Sequence, residues 1–126
     1  MEFKKYNGRV YIASPYTMGN VNENVKKSIT AANTLLLLGF QPYAPLLNHY
    51  WNLQHEHSYD EWLQFDMAWM LQCNYVLRLP GESKGADIEV QVAKENNIPV
   101  YYEIVDLLEE FIYKRINKYL KSCSGV

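Results

Sequence analysis

Two acidic residues stand among apolar neighbours in helical patterns, and they are the residues best placed to do chemistry. Glu89 shares one helical face with small residues: Gly85, Ala86, Val90 and Ala93. Asp66 shares another with aromatic and sulfur-containing residues: Trp62, Phe65, Trp69, Met70 and Cys73. A carboxylate that points into a dry interior is costly unless it is paired, so such a residue either has a hydrogen-bonding partner or serves a function. Two carboxylates whose pKa values are pushed apart are the equipment for breaking a glycosidic bond.

Each carboxylate also has a plainer interpretation. Glu89 could be a solvated helix residue if the apolar face is displaced by one position. Asp66 could be a buried acid that is hydrogen-bonded to the backbone or to a tyrosine. The presence of two inward carboxylates on adjacent helices favours a catalytic site over these plainer interpretations. The position of Glu89 near a helix N-terminus, where the dipole stabilises negative charge, favours it further.

The loop GESKG before the Glu89 helix has the composition of an anion cradle. Ser83 offers a hydroxyl and Gly85 lets the backbone approach a ligand, although an ordinary turn uses the same residues. Neither GxxxxGK[ST] nor GxGxxG is present, so an ATP-binding loop or a dinucleotide fingerprint is not predicted.

No metal or cofactor is predicted. His49, His55 and His57 lack a zinc-type spacing with cysteine and do not form a pair on one helix face. Cys73 and Cys123 are expected to be free thiols in a reducing compartment.

Hydrophobic periodicity and turn residues predict strands that alternate with helices. The predicted strands cover residues 9–13, 40–45, 74–79 and 98–102, and two prolines place the second at a sheet edge. The predicted helices cover residues 22–38 with a stop at Gly39, 58–73 with a capping box of Ser58 and Glu61, 86–97, and 105–121. Residues 46–57 are predicted to be a loop or irregular turn.

This alternation predicts an α/β fold, a single-domain flavodoxin-like or Rossmann-like sandwich over residues 1–126 with a short parallel sheet flanked by helices. Ligands of such sheets bind beyond the carboxyl ends of the strands, where strand order reverses. The loops SPYTMGN and LPGESKG are both expected at that edge.

Composition narrows the partners. A length of 126 residues with 48% hydrophobic residues suits one domain with a core. A net charge of -2 without a basic cluster argues against nucleic acid and an anionic membrane surface, and no apolar run predicts a membrane span or signal peptide. We expect a cytoplasmic protein that binds a small molecule. Its 11 tyrosines and 3 tryptophans suit a pocket or a subunit interface.

The sequence resembles the nucleoside 2-deoxyribosyltransferase superfamily, and within it the nucleoside 5′-monophosphate N-glycosidases. The resemblance covers residues 10–100 through the blocks VYIASPYT, LLGFQPYAP, EWLQFD, SKGADIEVQVA and IPV. It implies that Glu89 attacks C1′ of the sugar, that Asp66 assists the leaving base and positions the sugar, and that Tyr11 orients the nucleophile.

The resemblance also implies a substrate. Serine six residues before the nucleophile, here Ser83, is typical of the monophosphate hydrolases, whereas the transferases tend to carry aspartate. The expected activity is therefore hydrolysis of the base–sugar bond of a (deoxy)nucleoside 5′-monophosphate, with Ser83, Gly85, Ser14, Tyr16 and His49 binding substrate. Base exchange by a transferase, a non-catalytic nucleotide-binding module and a purely structural protein remain alternatives. Relatives form dimers or larger assemblies, so a homo-oligomer is expected.

Overall fold

A computed structural model describes residues 1–124 as an α/β sandwich, as the sequence predicts. Its elements in chain order are β1 (Arg9–Ala13), α1 (Val21–Leu37), β2 (Gln41–Tyr43), α2 (Asn48–Gln54), α3 (Tyr59–Met70), β3 (Tyr75–Arg78), α4 (Lys84–Glu95), β4 (Val100–Tyr101) and α5 (Ile104–Cys123). A 3-10 turn, Pro45–Leu47, precedes α2. Gly39 follows α1 with a φ of 92°, which is the left-handed stop expected there.

The four strands form one parallel sheet in the order β2-β1-β3-β4. The proline-containing strand β2 lies at an edge, as predicted. Because the chain runs from β1 outward to β2 and then places β3 on the other side of β1, the strand order reverses between β1 and β3. The loops that follow these two strands therefore part from each other and leave a crevice at their carboxyl ends.

Side chains of β1 alternate between two hydrophobic clusters. Val10 and Ile12 pack on one side of the sheet, where α1 contributes Leu35 and α5 contributes Leu107. The other side holds residues from β1, α3 and α4: Tyr11, Ala13, Met70, Ala86 and Ala93. The sheet thus has helices on both faces, and the two candidate carboxylates belong to helices of the second face.

The prediction for residues 46–57 was wrong. Most of this segment is helical, first as the 3-10 turn and then as α2. The helix α4 also begins at Lys84, two residues before the predicted start, because Ser83 is its N-cap and the Ser83 hydroxyl accepts a hydrogen bond from the Ala86 amide at 3.1 Å. The strands β2, β3 and β4 are shorter than predicted.

Candidate functional site

A cavity of about 940 Å³ opens at the crevice between β1 and β3. Seven of the eight predicted site residues line it: Ser14, Tyr16, His49, Asp66, Ser83, Gly85 and Glu89. The eighth, Tyr11, is fully buried and adjoins Glu89. Residues that were not predicted also line the cavity, among them Met18, Asn48, Asn52, Tyr59, Trp62 and Lys84.

Glu89 lies in the second turn of α4 with its carboxyl group enclosed. The residue is partly exposed, but its Oε2 atom is sealed from solvent and has no hydrogen-bond partner among residues 1–124. Burial, together with the nearby charge of Asp66, raises the pKa of Glu89 to about 8. The Tyr11 hydroxyl and the Arg78 cation act in the opposite direction. Glu89 is therefore an acid that keeps its proton at neutral pH and releases it near pH 8.

Tyr11 reaches this carboxyl group from the centre of the sheet. Burial raises the pKa of Tyr11, and the neighbouring Glu89 and Asp66 raise it further, so the hydroxyl keeps its proton. The Tyr11 oxygen makes no hydrogen bond of ordinary geometry within residues 1–124, although it is close enough to Glu89 to lower the pKa of that acid. When Glu89 is ionised, its carboxylate can accept a hydrogen bond from this buried hydroxyl.

Asp66 accepts hydrogen bonds from two side chains, a tyrosine of the kind that its plainer interpretation named and an asparagine that the sequence did not indicate. The Tyr43 hydroxyl donates to Asp66 Oδ1 at 3.2 Å, and the Asn48 amide donates to the same atom at 3.4 Å. The Asn48 amide also donates to the Tyr43 hydroxyl at 3.2 Å. Burial raises the pKa of Asp66 to about 6, while the two hydrogen bonds oppose that rise. Asp66 is thus an oriented carboxylate at neutral pH.

The predicted apolar face of α3 is only partly buried. Among its residues Phe65 is 37% and Trp69 is 48% exposed, and Met70 is the one buried residue of the helix. The face is divided between two neighbours. Trp51 of the unforeseen α2 packs edge-on against Trp62 and Phe65 at 5.2 and 5.6 Å between ring centroids, whereas Met70 and Cys73 pack against the sheet.

The predicted substrate-binding residues lie around the cavity mouth. Ser83 and Gly85 are at the N-terminus of α4, where the first backbone amides of a helix face outward and its dipole favours an anion. Lys84 adds a cation beside them. Across the cavity, the hydroxyl of Tyr16, in the loop after β1, and His49 Nδ1 of α2 form a hydrogen bond of 2.5 Å. The Asn24 amide of α1 donates to the Tyr16 carbonyl at 2.9 Å.

Arg78 is a further charged group that sequence reasoning missed. It ends β3 and is 7% exposed. Its guanidinium donates to the Leu79 carbonyl, to the Gly81 carbonyl at 2.9 Å and to Asp87 Oδ1 at 3.0 Å. An arginine within a strand pattern that reads NYVLRL gave one signal, since a cation in an apolar strand requires partners.

Within residues 1–124, no three His, Cys, Asp or Glu side chains are grouped so as to hold a metal ion. His49, His55 and His57 belong to or follow α2, and only His49 and His57 line the cavity. No helix in the described part of the chain has the length and hydropathy to cross a membrane.

The fold and the cavity define a flavodoxin-like α/β domain with a ligand crevice at the switch point of its sheet. Residues 8–102 match the family described as domain of unknown function (DUF4406), and the chain belongs to that family. No curated protein was found to match the chain significantly. Among solved structures it is similar to a 2-deoxyribosyltransferase from the psychrotolerant bacterium Bacillus psychrosaccharolyticus, with a TM-score of 0.55 and 22% identity over 73% of this chain and 69% of that one. This likeness shows the fold.

Proposed function

We propose that the protein cleaves the N-glycosidic bond of a (deoxy)nucleoside 5′-monophosphate, with Glu89 as the nucleophile. The observation that carries the proposal is that Glu89 and Asp66 both line the 940 Å³ cavity and that the buried Tyr11 adjoins Glu89 behind its wall. A buried acid, a second oriented carboxylate and a buried hydroxyl are the groups that a retaining glycosidase needs. The solved 2-deoxyribosyltransferase of similar fold supports the same class of chemistry.

In the proposed reaction the ionised Glu89 attacks C1′ of the sugar through an oxocarbenium-like transition state. The bond from C1′ to the base nitrogen breaks, and the base leaves with the electron pair and takes a proton from water. The remaining hydroxide attacks C1′, the ester to Glu89 breaks, and the carboxylate is released. Asp66 stabilises the positive charge on the sugar and positions it, and Tyr11 donates to the ionised nucleophile.

The N-terminus of α4 suits the phosphate of the substrate. Ser83, Lys84 and Gly85 all line the cavity, so a hydroxyl, an ammonium group and the amides that begin the helix are available to a phosphate there. Ser14 and Tyr16 from the loop after β1, and His49 from α2, would then contact the sugar and base. A substrate without the 2′-hydroxyl is favoured, because its oxocarbenium-like state forms more easily.

The second candidate is base exchange, which the likeness to a 2-deoxyribosyltransferase favours. The first step is unchanged, and a second base replaces hydroxide as the group that attacks C1′. The reaction is hydrolysis if water reaches the glycosyl-enzyme, and base exchange if a second base reaches it first.

Base release measured by chromatography tests both candidates. Purified protein is incubated with nucleosides and 5′-monophosphates, ribo and deoxy, with and without a second free base. We expect free base from a deoxynucleoside 5′-monophosphate, no release by Glu89→Ala, and full release by Glu95→Ala, a change at an exposed glutamate of the same helix. Exchange into the added base would establish the transferase. Binding without release from any substrate would favour a nucleotide-binding module, and neither binding nor release would favour a structural role.

We also propose that the protein acts in the cytoplasm as a homo-oligomer. Both cysteines are free thiols. Large apolar side chains remain exposed on α2 and α3, including Trp51, Leu53, Phe65 and Trp69. Sedimentation velocity at micromolar concentration is expected to give at least a dimer, and a monomer would contradict this proposal.

A further inference from the structure

Arg78 is a buried arginine that has no role in the reaction proposed above. It is a buried cation whose guanidinium makes three hydrogen bonds, and a buried cation is costly unless it is fully paired. Its acceptors belong to two different segments. The carbonyls of Leu79 and Gly81 are in the loop that leaves β3, and Asp87 is in the first turn of α4.

We propose that Arg78 is a positioning residue for Glu89, because its fork fixes the loop after β3 and the first turn of α4 against the end of the sheet. This inference rests on the function proposed above. The same loop and turn carry Ser83 and Gly85, so the clamp also fixes the proposed phosphate cradle. Asp87 and Glu89 project from opposite sides of α4, so Arg78 acts on Glu89 through the position of the helix and through the field of its charge.

The electrostatic field that Arg78 exerts at Glu89 is positive. The charged and titratable groups that shift the pKa of Glu89 are Tyr11 from β1, Asp66 from α3 and Arg78 from β3. Among them Arg78 is the cation, and it lowers the pKa of Glu89. The Asp87 side chain is 71% exposed, so water screens its negative charge, whereas the arginine side chain is 8% exposed and its charge acts through the protein interior. The ion pair therefore leaves a net positive field at Glu89.

Two substitutions of Arg78 distinguish its effect on the position of Glu89 from the effect of its charge. Arg78→Met removes both the fork and the cation, whereas Arg78→Lys keeps the cation and loses the two-pronged geometry. We expect kcat to fall by roughly 10- to 100-fold in both variants, since small displacements of a reacting group have effects of this size. The midpoint of Glu89 ionisation should rise in Arg78→Met and stay near the wild-type value in Arg78→Lys. Arg115→Met, at an exposed arginine of α5, is the control for both values.

The midpoint is measured without substrate, by a pH titration of carboxyl-labelled glutamate in NMR spectra, with the Glu89 signal assigned by its loss in Glu89→Gln. The failure of the two proposals can therefore be told apart. Absence of turnover by the wild type overturns the function, while the titration still reports on Arg78. A folded Arg78→Met protein with an unchanged midpoint or wild-type kcat overturns the positioning role. If that variant does not fold, wild-type kcat in Arg78→Lys overturns it, and reduced kcat with an unchanged midpoint supports it.

Discussion

Glu89 and Asp66 form a pair whose members ionise in a fixed order. Burial raises the pKa of Asp66 to about 6 and that of Glu89 to about 8. Once Asp66 is charged, its field makes the second ionisation harder. Near neutral pH the pair therefore holds one negative charge, on Asp66, and one proton, on Glu89.

This order predicts the pH dependence of the proposed reaction. The nucleophile must be ionised, so kcat/KM should rise with pH, level off above about 8, and show no fall between 6 and 8. Initial rates of base release between about pH 5 and pH 10 measure this profile. A maximum between the two pKa values with a fall above 8 would contradict the assignment, because it would make Glu89 the acid and Asp66 the nucleophile.

The raised pKa of Glu89 also predicts that ionisation of this residue destabilises the folded protein. The ordinary pKa of this carboxyl group is 4.5, so between 4.5 and about 8 the folded protein binds more protons than the unfolded chain. Stability must then fall as pH rises through this range. We expect Glu89→Gln to be more stable than the wild type near pH 9 by at least about 1.4 kcal/mol, the equivalent of one pKa unit, and similar to it near pH 4. Urea unfolding at both pH values measures the difference.

The exposed Glu95 supplies the control for this measurement, since Glu95→Gln should follow the wild type at both pH values. An equal stability change in Glu89→Gln at pH 4 and pH 9 would show that Glu89 is not ionised at a cost in the folded protein.

At the scale of elements, local signals located some parts of the site and missed others. The capping box of Ser58 and Glu61 begins α3, and the helical spacing around Glu89 places its carboxyl group inward. The helix α2 has no side-chain cap, and five of its seven residues, NHYWN, are weak helix formers. It is held by the packing of Trp51 on α3, a contact between distant segments that no local pattern contains.

The missed helix matters because it carries Asn48. This amide donates to Asp66 at 3.4 Å and lowers the pKa of that acid. Asn48→Leu should therefore raise the pKa of Asp66 above its value of about 6, since burial remains while one donor is lost. A carboxyl-carbon NMR titration of aspartate, with the signal assigned by Asp66→Asn, measures the shift. Gln54→Leu, at an exposed position of the same helix, is the control, and an unchanged midpoint in Asn48→Leu would exclude this role.

For the whole molecule, the sheet separates a supporting layer from a layer that carries the site. The fold class followed from the alternation of strands and helices, and the structure confirms it. Alternation along β1 then sends Tyr11 toward α3 and α4, and Val10 and Ile12 toward α1 and α5. The sequence could not assign these sides, because the strand is buried on both faces from Val10 to Ala13 and these four residues show no alternation of apolar and charged side chains.

This separation predicts that a defect in the supporting layer changes stability and spares catalysis. Leu35 of α1 is fully buried against Val10 and Ile12, so Leu35→Ala should lower the free energy of unfolding by about 2–5 kcal/mol. Leu37→Ala, at a position that is 79% exposed on the same helix, should change it by less than about 0.5 kcal/mol. Both variants should keep wild-type kcat at temperatures where they are folded, because neither residue contacts the cavity. A fall in kcat of folded Leu35→Ala would mean that the two layers are coupled through the sheet.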